Sequence, residues 1–285
     1  MIIWLASYPK SGNTLLRSML SAYFFSKDGV YDFSFLQNIK QFPNLKLFEK
    51  FGVDISDDEN IIKNYIKVQE KFVSKNSVQF VKTHSQLFNF HNKYPFTNMK
   101  NSLGVIYIVR DPRNVAMSFA NHSDISIDES VDTMINKFYI GSNYVSNEKK
   151  YESIVYSGNW SSNYKSWKSF IEVDKYLLIK YEELITNREK TFIKILKFIH
   201  HLDKKNFLPD KQKLNNVLKT TEFEYLKNLE KKKGFSEAKK AKETNKPITF
   251  FDSGQARDWK KDLDKKNINK LVSAFKNEML ELGYL

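Results

Sequence analysis

Ile2-Ile3-Trp4-Leu5-Ala6-Ser7 runs directly into Tyr8-Pro9-Lys10-Ser11-Gly12-Asn13-Thr14, and this stretch decides the fold. The apolar run has the length of a buried strand and stops at Pro9, and the residues after the loop follow a helical pattern, with one apolar face formed by Leu15, Leu16, Met19, Leu20 and Tyr23. Backbone N–H groups without internal partners favour an anion at a helix start. Gly12 allows a ligand close to the backbone, and Lys10 adds positive charge. The stretch therefore predicts a loop that binds phosphate or sulfate.

The order of residues in this loop differs from the Walker A motif. In that motif the lysine follows the second glycine. Here Lys10 precedes Gly12, and no glycine lies upstream. Taken alone, the loop also fits an ordinary strand-to-helix turn that happens to contain a lysine.

The rest of the chain alternates short apolar runs with helical patterns. Strands are predicted at Ile2–Ser7, Val78–Val81, Val105–Val109 and Tyr176–Ile179. The segment from Asp128 to Ser169 is predicted to be helical, with a turn at Gly158-Asn159 before its last part. Another helix is predicted from about Tyr181 to His200. Buried strands separated by helices indicate an α/β fold with a mainly parallel central sheet flanked by helices. No domain boundary is visible, so we expect a single domain over residues 1–285.

Composition narrows the classes of partner. The chain of 285 residues has 46 Lys+Arg against 33 Asp+Glu and no Cys, which gives a formal charge of +13 and excludes disulfides. Such a charge favours anionic partners, but much of the excess lies between Lys227 and Lys246 and fits a solvated helix or loop. No nucleic-acid-binding motif is present, so we expect no nucleic acid partner. No apolar run is long enough to span a membrane, and Met1 lies one residue before the first strand, so a cytoplasmic location is expected.

Two further motifs follow predicted strands. Phe80-Val81-Lys82-Thr83-His84 places a Lys and a His at the carboxyl end of a strand, where ligands of parallel sheets gather. His84 is the candidate general base, because the other histidines lack a comparable setting. In the second motif, Val105 to Ser118, a strand ends at Arg110, Pro112 starts a helix, and Ser118 lies about two turns into it.

Together these motifs resemble the cytosolic-type sulfotransferases, which use 3′-phosphoadenosine 5′-phosphosulfate (PAPS) and release 3′-phosphoadenosine 5′-phosphate (PAP). The resemblance rests on Pro-Lys-Ser-Gly-Asn-Thr, on Lys-Thr-His, and on the spacing of Arg110 and Ser118. Softer matches are Lys180-Tyr181-Glu182-Glu183-Leu184, Thr221-Glu222-Phe223, and Phe251 through Lys260. The resemblance covers nearly the whole chain.

The resemblance implies roles for individual residues. The implied catalytic residues are His84, Lys10, Lys82 and Ser118. The implied donor-binding residues are Lys10, Ser11, Gly12, Asn13, Thr14, Arg110, Ser118, Tyr181, Thr221, Phe223, Gly254 and Arg257. It implies direct in-line transfer to a hydroxyl or amine of a small-molecule, lipid or glycosylated acceptor, without a metal ion. Acceptor identity and oligomeric state are left open.

Two departures from the family pattern keep alternatives open. Leu15 stands where the family usually has a Trp that faces the adenine, and Asp252-Ser253 replaces an Arg-Lys pair at the donor's 3′-phosphate. These changes leave room for an inactive nucleotide-binding homologue. A P-loop small-molecule kinase would require a Walker A order and a Mg²⁺-holding acid, and an acidic-polymer binder would rest on charge alone.

Overall fold

The computed structural model describes residues 1–73, 77–136, 140–142, 153–252 and 258–285. The strands, in chain order, are β1 Ile2–Ala6, β2 Lys40–Gln41, β3 Gln79–Thr83, β4 Asn89–Phe90, β5 Tyr94–Pro95, β6 Ser102–Val109, β7 Ile140–Ser142, β8 Ser153–Val155 and β9 Tyr176–Lys180.

Helices make up most of the remaining regular structure. The α-helices are α1 Asn13–Phe25, α2 Leu45–Lys50, α3 Asp58–Lys63, α4 Tyr65–Phe72, α5 Pro112–Ser123, α6 Ile127–Ile135, α7 Trp160–Trp167, α8 Tyr181–Thr186, α9 Arg188–Leu202, α10 Lys211–Thr220, α11 Phe223–Lys233, α12 Trp259–Asp262 and α13 Lys265–Glu281. Short 3₁₀ helices cover Phe33–Asn38 and Lys168–Val173.

The chain divides into two compact units. The first, here called the sheet unit, comprises Met1–Tyr8, Ile39–Val109 and Phe138–Phe207, and the second, the helical unit, comprises Pro9–Asn38, Arg110–Lys137 and Leu208–Leu285. The change from one unit to the other thus falls inside the loop that joins β1 to α1.

The sheet unit contains a five-stranded sheet in the order β2-β3-β1-β6-β9, in which every pairing is parallel. β1 and β6 are buried along nearly their whole length, which explains why they read as continuous apolar runs. The α9 helix packs on β6 and β9, and α7 packs on β6. An α/β fold with a mainly parallel sheet flanked by helices is therefore confirmed.

The core of the sheet unit is built around Trp4. Its ring centroid lies 5.3 Å from that of Phe96, 5.9 Å from that of Phe42 and 6.1 Å from that of Trp167. Its indole N–H donates to the Ser102 hydroxyl at 2.9 Å, so burial leaves no polar atom of Trp4 without a partner. Trp167, which packs against Trp4, is fully buried as well.

The helical unit has two packed groups of helices. In one, α5 contacts α6, and α13 contacts both. The Ser130 hydroxyl donates to the Ala116 carbonyl at 2.6 Å, which lets α5 and α6 approach closely. In the other group, α1 packs on α10 and on the 3₁₀ turn at Phe33–Asn38.

Two predicted helices are divided in the structure. The region predicted as helical from Asp128 to Ser169 instead contains α6, then the antiparallel pair β7–β8, then α7, which begins after Gly158 at φ 63° and the N-cap Asn159. The helix predicted from Tyr181 to His200 is interrupted at Asn187, whose φ of −124° and ψ of 48° are not helical. Apolar periodicity continues across Asn187 and therefore hid the break. Among the described residues, no helix is both long and apolar enough to cross a membrane.

Candidate active site

In the sheet unit, the candidate residues lie at the carboxyl ends of β1 and β3. Ala6 pairs with Thr83, so the next residues of the two strands, Ser7 and His84, are also neighbours. The Ser7 N–H donates to the Thr83 carbonyl at 3.3 Å and continues the ladder past the end of β1. This is the sheet edge at which parallel folds bind ligands.

The His84 ring is oriented by the backbone of Ser7. The distance from His84 Nδ1 to the Ser7 carbonyl oxygen is 2.9 Å, and Nδ1 also lies 3.1 Å from the Ser7 hydroxyl. A carbonyl can only accept, so Nδ1 carries the proton in this hydrogen bond. In the neutral ring the basic lone pair is then on Nε2. His84 is half-buried. The hydrogen bond at Nδ1 gives its ring the tautomer that a general base acting through Nε2 requires.

Lys82 and Tyr181 occupy strand-end positions of the same unit. Lys82 is on β3, is only 9% exposed, and lies two residues before His84, which directly follows the strand. Tyr181 is the first residue of α8, directly after β9, and is half-buried.

In the helical unit, the start of α1 is shaped by two residues of left-handed conformation. Lys10 has φ 64° and Gly12 has φ 103°. Gly12 is the N-cap of α1 and, as a glycine, makes no side-chain capping hydrogen bond. Ser11 is fully buried, and its hydroxyl has no hydrogen-bond partner among the described residues. An unpaired buried hydroxyl beside uncapped helix N–H groups fits an anion as the missing acceptor.

Two side chains of the helical unit contact Lys10. The Arg110 Nη1 lies 3.4 Å from the Lys10 carbonyl oxygen, and Arg110 is only 8% exposed. The Lys10 ammonium lies 4.0 Å from the centroid of the Phe250 ring, a cation–π distance. The structure thus places the Arg110 guanidinium beside the backbone of Lys10 in this unit.

Glu237 introduces a negative charge that the motifs did not predict. Its carboxylate accepts from Arg17 Nη2 at 2.7 and 2.8 Å and from the Thr14 hydroxyl at 3.3 Å. Arg17 Nε also donates to the Asn13 side chain at 3.1 Å. Asn13 and Thr14, both predicted donor-binding residues, therefore belong to one polar network with Arg17.

The other predicted residues of the helical unit that the structure describes lie on α5 and around the start of α11. Ser118 is half-buried on α5, and Phe223, the first residue of α11, is also half-buried. Thr221 follows α10, is fully buried, and donates its hydroxyl to the Val217 carbonyl at 2.7 Å. Because this hydroxyl proton is donated to the backbone, Thr221 Oγ1 could meet a nucleotide base only as an acceptor. The predicted residues Gly254 and Arg257 lie outside the described residues.

The departure at Asp252 has a counterpart in the structure. The Lys227 ammonium donates to the Asp252 carbonyl at 3.0 Å and lies 5.7 Å from the centroid of the Phe223 ring. Lys227 therefore brings a positive charge next to the acidic residue that replaces a cation. The sequence offered no signal for this pairing, because Lys227 begins what reads as a solvated basic run.

Asn163 is a buried polar residue of the sheet unit that sequence reasoning missed. Its side chain donates to the His84 carbonyl at 2.9 Å and to the Ser157 carbonyl at 2.7 Å. A signal was present, because an Asn three residues after Trp160 and four before Trp167 lies on the buried face of that helix.

Across residues 1–73, 77–136, 140–142, 153–252 and 258–285, no group of three or more His, Cys, Asp or Glu is placed to hold a metal ion.

Solved structures of similar fold are sulfotransferases and a retinol dehydratase. Mouse sulfotransferase SULT7A1, complexed with PAP, aligns with a TM-score of 0.57 at 19% identity, over 97% of this chain and 83% of that one. Retinol dehydratase, complexed with retinol and PAP, aligns with a TM-score of 0.62 at 14% identity, over 98% of this chain and 81% of that one. These likenesses establish the fold.

Curated proteins of similar sequence are also sulfotransferases. Human sulfotransferase 1E1 is 24% identical over 231 residues, which cover 79% of this chain and 65% of the relative. Guinea pig (Cavia porcellus) 3-beta-hydroxysteroid sulfotransferase is 27% identical over 170 residues, 59% of this chain and 53% of the relative. The aligned region thus spans about half to two thirds of these relatives. The family model described as the sulfotransferase domain matches residues 2–283, and the chain therefore belongs to the sulfotransferase domain family.

Proposed function

We propose that this chain transfers a sulfuryl group from PAPS to a hydroxyl or amine of a small-molecule, lipid or glycosylated acceptor. The observation that carries the proposal is the start of α1, where left-handed Lys10 and Gly12 flank the buried, unpaired hydroxyl of Ser11. The activity is proposed for residues 1–285 as one sulfotransferase domain, since the family model matches 2–283.

The donor's phosphates are assigned to the helical unit. The 5′-phosphate is bound by backbone N–H groups from Ser11 to Thr14 and by the Ser11 hydroxyl, because an uncapped helix start favours a dianion. The 3′-phosphate is assigned to Arg110 and Ser118, since a guanidinium binds phosphate oxygens in a planar fork and a hydroxyl adds a directed donor. The PAP bound to mouse SULT7A1 and to retinol dehydratase supports this choice of nucleotide.

The chemical step is a direct displacement at sulfur. The acceptor oxygen or nitrogen forms a bond to sulfur, and the bond from sulfur to the bridging phosphate oxygen breaks, which releases PAP. His84 Nε2 takes the acceptor's proton, a role supported by the hydrogen bond that keeps the other ring nitrogen protonated. Lys10 and Lys82 stabilise negative charge on the transferring group and on the leaving oxygen.

The acceptor class is the least restricted part of the proposal. Retinol dehydratase has been crystallised with retinol and with androsterone, each an apolar alcohol, alongside PAP. Such ligands support a small-molecule hydroxyl as acceptor here. Near Lys10, the aromatic cluster formed by Phe33, Phe235, Phe250 and Phe251 would favour an acceptor with apolar surface.

The proposal is tested by incubating the protein with PAPS and a panel of phenols, alcohols, amines and glycosides. PAP release and a sulfated product are expected for at least one acceptor. Replacing the proposed base, His84→Asn, should lower turnover by about 100-fold or more. The matched control His91→Asn alters an exposed histidine and should retain full turnover. Transfer to no acceptor, or full activity of His84→Asn, contradicts the proposal.

A further inference from the structure

A closed ring of hydrogen bonds surrounds the ends of β1 and β3 in the sheet unit. It begins with His84, whose Nδ1 donates to the Ser7 carbonyl at 2.9 Å. The same peptide group continues through the backbone N–H of Tyr8, which donates to the Tyr107 hydroxyl. The Tyr107 hydroxyl donates to Asn163 Oδ1 at 2.7 Å, and Asn163 Nδ2 donates to the His84 carbonyl at 2.9 Å. The ring thus returns to its starting residue.

Every member that joins the two strand ends is buried. Tyr107 is 1% exposed and Asn163 is fully buried. Tyr107 pairs with Ala6 in the sheet register, two residues before Tyr8. Burial raises the pKa of Tyr107 well above its ordinary value, so the hydroxyl keeps its proton and its role as a donor.

Both N–H groups and the oxygen of the Asn163 amide are engaged in hydrogen bonds. Both of its N–H groups donate, one to His84 and one to the Ser157 carbonyl, while its oxygen accepts from Tyr107. Only an amide can donate and accept in this arrangement, and a carboxylate in its place would face two carbonyl oxygens. Hydrogen bonds in such a buried ring also polarise one another.

The helix that carries Asn163 holds the residue after His84 as well. Trp167 Nε1 donates to the Ser85 carbonyl at 3.0 Å, and the Ser166 hydroxyl accepts from the Leu87 N–H at 2.8 Å. The α7 helix therefore fixes the backbone on which His84 is mounted. The Ser7–Tyr8 peptide, held by Tyr107, fixes the acceptor that His84 Nδ1 meets.

We infer that Tyr107 and Asn163 are positioning residues that set the ring tautomer and orientation of His84. The expected effect on turnover rests on the proposed function. The effect on the His84 imidazole does not, since it exists without any substrate. Small displacements of a catalytic group cost about 100-fold in rate. Loss of a hydrogen bond that positions His84 should therefore affect turnover more than folding.

Tyr107→Phe and Asn163→Asp each break the ring of hydrogen bonds, and each has a matched control. Tyr65→Phe removes a hydroxyl from another fully buried tyrosine of this unit, within the aromatic core beside Phe42 and Phe96. Gln69→Glu changes another buried amide, which donates to the Phe96 carbonyl at 2.6 Å and accepts from Thr97 at 2.7 Å. The controls therefore report the stability cost of each chemical change.

The first readout is the nitrogen-15 NMR signal of the His84 ring in the substrate-free protein. Wild type should carry its proton on Nδ1 in the neutral form, and Tyr107→Phe should yield a mixture of tautomers while Tyr65→Phe does not. If Asn163→Asp prevents folding, Tyr107→Phe decides the question alone. An unchanged tautomer in Tyr107→Phe overturns the inference.

The second readout is turnover with PAPS. Tyr107→Phe should lower kcat by about 10- to 100-fold with the KM for PAPS nearly unchanged, and both controls should stay near wild type. Equal losses in the variants and their controls would overturn the inference. A wild type that transfers no sulfuryl group would instead contradict the proposed function, and the NMR readout would still decide whether Tyr107 and Asn163 position His84.

Discussion

The left-handed backbone of Lys10 permits a direct test of whether a strained residue is kept at this position for its charge. Its φ is 64°, a left-handed conformation that costs any residue with a Cβ about 1–2 kcal/mol. Glycine would remove that cost, but its greater freedom in the unfolded chain costs about 0.5–1 kcal/mol. Lys10→Gly should therefore be more stable than Lys10→Ala by about 0.5–1 kcal/mol.

The comparison of the two variants isolates the backbone. Both remove the ammonium and its contact with the Phe250 ring at 4.0 Å, so side-chain effects cancel in the difference. Urea unfolding at equilibrium measures the free energy of unfolding of each variant. PAP titration by calorimetry should show that both bind far more weakly than wild type, because neither has the charge.

Lys204 supplies the matched control. It also has positive φ, 54°, but it is exposed at the end of α9. Lys204→Gly should be more stable than Lys204→Ala by a similar amount, with no change in PAP affinity in either variant. The reasoning is refuted if Lys10→Ala equals or exceeds Lys10→Gly in stability, or if either Lys10 variant binds PAP as wild type does.

Three further outcomes follow from single contacts. Gly158→Ala should cost about 2–3 kcal/mol in urea unfolding, because φ is 63° and the new methyl overlaps the Ser162 hydroxyl that caps α7; a loss below about 0.5 kcal/mol contradicts this. Asp252→Asn should tighten PAP binding about threefold in calorimetry by removing a negative charge, and weaker binding would refute it. The hydrogen bond from Lys233, 2.5 Å long, holds the pKa of Asp32 below its ordinary value of 3.8, so the stability from this pair is present above about pH 4 and is lost as pH falls through the lowered value. Lys233→Met should raise that pKa in a carboxyl NMR titration, and an unchanged pKa would argue against the pair.

The sheet was predictable because its strands are apolar and buried. The predicted runs at Ile2–Ser7 and Tyr176–Ile179 differ from β1 and β9 by one residue at one end. The β2 strand was missed because it has only two residues, Lys40 and Gln41, neither of which is buried. A strand this short owes its existence to pairing with β3 and leaves no apolar pattern to detect.

Within the candidate site, motif positions were predictable and their supporting contacts were not. The sequence identified Lys10 and His84 because both follow strands in recognisable motifs. It could not identify Glu237 beside Thr14, or Tyr107 beside Asn163, because these partners are 223 and 56 residues apart in the chain. Contacts between such distant residues depend on the packed fold and leave no local pattern.

The central claim is that the start of α1 binds the donor nucleotide of a sulfotransferase. It is tested most directly by calorimetric binding of PAP and of ADP, which lacks the 3′-phosphate, to wild type and to Lys10→Ala. The account predicts low-micromolar PAP binding that is weakened by at least tenfold for ADP and again for Lys10→Ala. Equal affinity for PAP and ADP, or PAP binding that does not depend on Lys10, would contradict it.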